Sequence, residues 1–240
     1  MKSNLVHVCF VLDESGSMSQ STKDVIGGFK SVIDKQKEVK DGECLVSLYK
    51  FSTKAEKLFI GKNVNDVDYL EAGSFGAEND ASHYFPHGLT AMNDGIGMAI
   101  DGIGEWIDKM KEEDKPEKNI IVVMTDGYEN NSKDYTLARV KEMIKHQEEK
   151  YSWEFVYMGT DITSTEQATS LGFSSLNSAY STRDNLTANY DAVNTYLSCY
   201  RCTDGDFQFK SIKASAALQE NIKEMNNEYE EATGIKLENK

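Results

Sequence analysis

Apolar residues along this chain alternate between short unbroken runs and stripes at helical spacing. Val6-His7-Val8-Cys9-Phe10-Val11-Leu12 is a nearly continuous apolar run, which predicts a strand covered on both faces. Over residues 22–39 the apolar positions Val25, Ile26, Phe29, Val32 and Ile33 form a helical stripe, with Ser21 or Thr22 as N-cap. Gly27 and Gly28 within it cost about 1 kcal/mol each relative to Ala, which predicts close packing of that helix on the sheet. Residues 44–51 and 55–60 read as a hairpin around Ser52-Thr53-Lys54.

Residues 73–86 have no periodicity and read as a loop. A helix is expected over 91–110, with Met92, Ile96, Ala99, Ile100, Ile103 and Ile107 on one face. Ile120-Ile121-Val122-Val123-Met124 marks a second buried strand over 119–125. A helix over 135–150, a strand over 153–158, a short helix over 163–171 and a weak last strand over 173–176 follow. This alternation predicts an α/β fold: a doubly wound, mostly parallel sheet with helices on both faces and one antiparallel edge strand. Two more helical stripes close the chain, one on Leu186, Tyr190, Val193, Leu197 and Tyr200, the other on Leu218, Ile222, Met225 and Tyr229. The division expected is one domain over 1–203 and a helical extension over 204–240, packed on it or docking a partner.

Charge narrows the function. The 240 residues carry 40 Asp and Glu against 26 Lys and Arg, a net charge of -14. Such a chain repels phosphate, and no basic run offsets this, so nucleic acid is not an expected partner. No stretch approaches the ~18 apolar residues of a membrane helix. No small-residue cleavage site follows the first apolar run, so a cytoplasmic location is the expectation. Cys9 and Cys44 lie in strand-like runs, while Cys199 and Cys202 form a single C-x-x-C without a second ligand pair for zinc.

Ligands of open parallel sheets gather at the carboxyl ends of the strands. Three polar clusters fall there: Asp13-Glu14-Ser15-Gly16-Ser17 after the first strand, Gly88-Leu89-Thr90-Ala91 before the long helix, and Thr125-Asp126-Gly127 after the second buried strand. Oxygen-only donors of this kind suit Mg²⁺, Mn²⁺ or Ca²⁺ rather than zinc or copper. Taken singly, Asp13 and Asp126 could equally be turn formers, Thr90 an N-cap, and Ser15 and Ser17 loop serines.

Asp13-x-Ser15-x-Ser17, with Thr90 and Asp126-Gly127 later in the chain, resembles the metal-ion-dependent adhesion site of von Willebrand factor type A (vWA) domains. The local text "FVLDESGSMS", "GLTAMNDGIG" and "VVMTDGYEN" matches that family in order and spacing. The resemblance covers about residues 5–179. "VYMGTDITSTEQATSLGF" is similar to the late strand and helix of bacterial and phage stand-alone members. Leu89 departs from the pattern, which usually has a second Gly there.

The resemblance implies a cation bound by the hydroxyls of Ser15, Ser17 and Thr90, with Asp13 and Asp126 binding through water or directly. Mostly neutral ligands would leave the cation positive enough to seek a partner's Asp or Glu carboxylate. The implied function is metal-dependent protein binding in an intracellular or phage-encoded assembly. The alternative is a structural subunit, for example beside an AAA+ ATPase, whose metal only ties the loops together. Glu14, Glu129 and His87 are candidate rim contacts, or plain surface residues. Relatives also imply that the helix over 184–202 moves with the metal loops.

An enzyme is not expected. A phosphatase of the haloacid dehalogenase type needs a second Asp where Ser15 stands, and no G-x-S-x-G, P-loop or dinucleotide pattern is present.

Overall fold

The N-terminal apolar run becomes the middle of a six-stranded sheet. The computed structural model describes residues 1–74, 83–159, 163–174, 177–180, 186–203 and 207–237. In chain order the elements are β1 (Lys2–Asp13), α1 (Thr22–Glu38), β2 (Glu43–Phe51), β3 (Ala55–Asn63), β4 (Glu71–Ala72), β5 (His83–Tyr84), α2 (Met92–Asp108), β6 (Pro116–Thr125), α3 (Leu137–Tyr151), β7 (Glu154–Gly159), α4 (Thr163–Leu171), β8 (Ser178–Tyr180), α5 (Leu186–Cys202) and α6 (Phe207–Thr233).

The sheet order is β3-β2-β1-β6-β7-β8. Every neighbouring pair is parallel except β2 with β3. This is the doubly wound fold expected, with β3 as the antiparallel edge. β1 lies between β2 and β6, so the chain order reverses there. The crevice beyond the carboxyl ends of β1 and β6 is the place where such sheets take ligands.

Alternation along β1 builds two cores. Val6, Val8, Phe10 and Leu12 face α1, α5 and α6, joining Phe29, Val32, Tyr190, Leu197, Leu218 and Ile222. Cys9 and Val11 face the other way, among Ile96, Ile100, Ile121, Val140, Ile144 and Phe155. Both faces are dry, which is why the run reads as continuously apolar. His7 is the polar exception: its ring pairs with Asn119 Oδ1 at 3.0 Å and Ser47 Oγ at 2.7 Å.

Three details differ from the sequence expectation. First, β8 falls at Ser178–Tyr180, not over 173–176. Gly172 ends α4 at φ +90°, and Phe173 drops into the core against Phe155 and Tyr157. Its apolarity is spent on filling rather than on strand pairing; residues 175–176 lie outside the described residues. Second, the stretch read as a loop contains β5, which pairs in parallel with β4; residues 75–82 lie outside the described residues. Third, the close approach around Gly28 is to a helix and not to the sheet. A Cβ there would lie 2.0 Å from Cδ2 of Tyr190 on α5, while Gly27 has nothing within 4 Å.

α6 lies against α5 and β8. Its Lys210, fully buried, bonds Glu117 Oε2 at 2.5 Å and Asn4 Oδ1 at 2.6 Å. Ser215 reaches Glu154 Oε1 at 3.0 Å. α5 is held in turn by Arg201, whose guanidinium donates to the carbonyls of Gln36, Val39 and Gly42 at 2.7, 3.0 and 3.2 Å. These are the free carbonyls at the end of α1 and just beyond it, so one buried cation satisfies several otherwise orphaned acceptors.

Candidate functional site

β1 and β6 end side by side, with Leu12 opposite Met124. The next residues are Asp13 and Thr125. The Thr125 hydroxyl donates to Asp13 Oδ2 at 2.5 Å, and the Ser15 N–H donates to Oδ1 at 2.7 Å. Both carboxylate oxygens are therefore oriented by bonds from within the chain. Asp13 is buried, and burial together with the nearby Asp126 charge pushes its pKa up to about 6 against the hydroxyl and N–H bonds. A carboxylate in that position is short of positive charge.

The two serines follow on a short 3-10 turn. Ser15 Oγ and Ser17 Oγ lie 3.1 Å apart, and the Ser17 hydroxyl donates to Asp126 Oδ1 at 2.5 Å. Thr90 arrives from the loop before α2, its N–H bonded to Asn130 Oδ1 at 2.9 Å. Gly127 shows where these groups meet. A methyl built on it would lie 3.4 Å from both Ser17 Oγ and Thr90 Oγ1, and 3.7 Å from Asp13 Oδ2. Asp13, Ser15, Ser17, Thr90 and Asp126 are thus brought to one place from three loops. A methyl at 127 would fill the space between them at ordinary contact distance.

The loop carrying Thr90 needs its glycine. Gly88 has φ +71°, and a Cβ there would meet Thr53 Oγ1 at 2.2 Å, so the backbone conformation and the space both require Gly. Leu89, in place of the pattern's second Gly, is accommodated with its side chain exposed and its N–H on Thr53 Oγ1 at 3.1 Å.

Among the expected rim residues, Glu14 is a correction. It is 3 % exposed and pairs with buried Lys50 at 2.9 Å, and it also accepts the Phe85 N–H at 2.6 Å. A desolvated charge is tolerated only when paired and hydrogen-bonded, and Lys50 meets that need inside the fold. Glu129 is half-buried, with its oxygens engaged by Asn93, Asn131 and Ser132. His87 is half-buried, bonding Phe85 O at 2.7 Å through Nδ1. The exposed apolar residues on these loops are Leu89 and Tyr128.

Several residues support the site in roles that the sequence does not reveal. Thr125 orients Asp13, the Tyr84 hydroxyl donates to the Asp13 carbonyl, and Gln167 on α4 bonds both Gly127 O and the Glu129 N–H, at 3.2 and 3.1 Å. Each contact joins residues far apart in the chain, so spacing could not reveal it.

The donors are hydroxyl and carboxylate oxygens, the chemistry a hard divalent cation takes. Among the described residues no group of three or more His, Cys, Asp or Glu side chains is gathered to hold a metal. Any cation here would therefore depend on the hydroxyls as well as on the two acids. Cys199 and Cys202 are free thiols.

The von Willebrand factor type A domain profile matches residues 7–188. The chain belongs to this family. The vWA domain is a protein-interaction module, and its members are typically adhesion or interaction modules rather than enzymes. No curated protein sequence matches. Among solved structures, the fold is similar to the vWF domain of the type V pili tip protein Mfa5 from Porphyromonas gingivalis, at 12% identity and a TM-score of 0.61, covering 84% of this chain and 97% of that one. It is also similar to proximal thread matrix protein 1 from the mussel byssus with a zinc-occupied MIDAS motif, at 16% identity and a TM-score of 0.53, over 81% of this chain. This chain spans 46% of the mussel protein. Manganese-loaded TRAP protein from Plasmodium vivax is similar at 16% identity and a TM-score of 0.50, over 78% of this chain and 72% of that one. No helix among the described residues is long and apolar enough to cross a membrane.

Proposed function

We propose that this vWA domain binds a protein partner through a divalent cation, Mg²⁺ or Mn²⁺, held by Asp13, Ser15, Ser17, Thr90 and Asp126. The observation that carries this reading is the convergence of Ser17, Thr90 and Asp13 oxygens within 4 Å of one point beside Gly127. The zinc-occupied MIDAS motif of the mussel structure supports a cation at such a site, and the Plasmodium structure is manganese-loaded. When bound, the cation supplies a coordination position for an anionic oxygen from outside.

The chain's own residues prepare for it. Thr125 and the Ser15 N–H orient Asp13. A hydroxyl keeps two acceptor lone pairs while it donates, so Ser17 can bond Asp126 and still offer its oxygen. Two carboxylates formally balance a divalent ion, but the other three ligands are neutral hydroxyls, so where Asp13 and Asp126 bind through water the ion would stay electron-poor enough to take a partner's Asp or Glu carboxylate. With Glu14 turned inward to Lys50 and Glu129 tied to its own loop, neither acid stands free to repel that carboxylate.

The alternative, a subunit in which metal only ties the loops together, has less to do here. Thr125–Asp13, Ser17–Asp126 and Asn130–Thr90 bonds already join the three loops. An intracellular or phage-encoded assembly remains the setting read from the sequence. The similar structures named above come instead from a pilus tip and a byssus thread, and the binding chemistry proposed is the same in both settings.

Calorimetric titration with Mn²⁺ and Mg²⁺ tests the reading. Binding heat at one site is expected for the wild type and none for Asp13→Ala. Equal heats for the two, or none for a folded wild type, would falsify it.

A further inference from the structure

α2 begins at Met92, two residues after Thr90, and its N-cap position is Ala91, whose side chain makes no capping bond. The first N–H groups of a helix have no partner within it. Here they are met from the loop after Asp126. Glu129 Oε2 accepts the Asn93 N–H at 2.8 Å, and Ser132 Oγ accepts the Asp94 N–H at 3.0 Å. The Ser132 hydroxyl donates to Glu129 Oε2 at 2.7 Å, and Glu129 Oε1 takes the N–H groups of Asn131 and Ser132 at 2.9 and 2.7 Å. The Asp94 carboxylate returns the exchange, accepting from the N–H groups of Lys133, Asp134 and Tyr135 at 2.9, 3.0 and 2.8 Å. Beside this clasp, Asn130 pairs with Thr90 in both directions, through Oδ1 at 2.9 Å and through its N–H to the Thr90 carbonyl at 3.0 Å.

The Thr90 loop and the Asp126 loop are thereby fastened by bonds that need no cation. We propose that Glu129 is the positioning residue of this clasp: it caps α2 from across the site and so sets the Thr90 hydroxyl against Asp126 for the ion. Its negative charge also suits the helix N-terminus. Glu129 acts on the ion only through Thr90. The assignment rests on the cation reading and adds to it the claim that Thr90 is fixed in place before the ion arrives.

A double-mutant cycle read by Mn²⁺ calorimetry tests it, with melting in EDTA as the control for folding. Glu129→Ala is expected to weaken Mn²⁺ binding by about tenfold or more, as loss of a supporting residue does at metal sites. Glu129→Gln, which keeps one acceptor oxygen, should fall between wild type and Glu129→Ala. In a Thr90→Ala background the same replacements should cost little, because no hydroxyl remains to be positioned. If Glu129→Ala does not melt cooperatively, Ser132→Ala carries the same comparison. Unchanged Mn²⁺ affinity in these variants, or equal losses with and without the Thr90 hydroxyl, overturns the assignment. A cooperatively melting wild type that binds no Mn²⁺ overturns the cation reading itself, which is a separate result.

Discussion

At the scale of single residues, Gly127 is the sharpest probe of the site. Its missing side chain leaves open the space between Ser17, Thr90 and Asp13. A methyl at 3.4 Å from two hydroxyl oxygens is ordinary contact, so it should strain the fold little while occupying room the ion needs. Gly127→Ala is therefore expected to lower Mn²⁺ affinity by about tenfold or more with little change in melting in EDTA, both measured on one preparation. Unchanged affinity would move the ion away from Gly127. The five residues that meet at the site could be picked out in the sequence because their order and spacing resemble one family motif. The inward turn of Glu14 could not. It depends on Lys50, 36 positions away, and on an Lys50 side chain buried at the same depth. An acid beside a metal motif reads as surface until its counter-ion is seen.

At the scale of elements, periodicity placed α1, α2, α3 and the buried strands within a few residues, but for α6 it marked only 218–229 of a helix that spans Phe207–Thr233. It failed where apolar residues serve something other than strand pairing, as Phe173 does in filling the core after Gly172. It also misassigned what Gly28 packs against. α1 and α5 touch so closely that a Cβ on Gly28 would lie within 2.6 Å of three Tyr190 ring atoms. Helix propensity alone says Gly28→Ala gains about 1 kcal/mol. Overpacking of this kind costs roughly 1–3 kcal/mol, and the overlap here involves a buried ring hemmed in by core. Urea denaturation should therefore show Gly28→Ala less stable than wild type, and Gly27→Ala, with open space around it, neutral or more stable. The reverse order would mean that α5 does not lie on α1 as described. Arg201, Tyr190 and the Lys35–Asp191 ion pair at 2.5 Å all bind α5 to α1 or the loop that follows it. Movement of α5 of the kind the family resemblance implies would have to break these contacts.

At the scale of the whole molecule, the net charge of -14 describes the surface and not the site. Among the described residues, Asp13, Glu14, Asp94, Asp126 and Glu154 are buried, each with hydrogen-bond partners, and the other acids lie mostly outside. The global pH response should instead carry a mark from His7. Burial pushes its pKa down to about 4, only partly offset by the bond to Asn119. The unfolded chain binds this proton near 6.5 and the folded chain only near 4, so stability falls as pH drops through that interval. His7 by itself contributes a loss of roughly 2 kcal/mol between about pH 7 and about pH 5, which Asp13, with its pKa raised to about 6, partly offsets in the opposite sense. His7→Gln should flatten that part of the profile, as followed by urea midpoints, and an unchanged slope would place the titration elsewhere.

If one divalent cation sits where the three loops meet, anomalous diffraction from crystals grown with Mn²⁺ locates it directly. A single strong anomalous peak is expected in bonding reach of Ser15 Oγ, Ser17 Oγ and Thr90 Oγ1, beside Gly127. A well-ordered site with no peak there, or a dominant peak at another place in the molecule, would contradict the account.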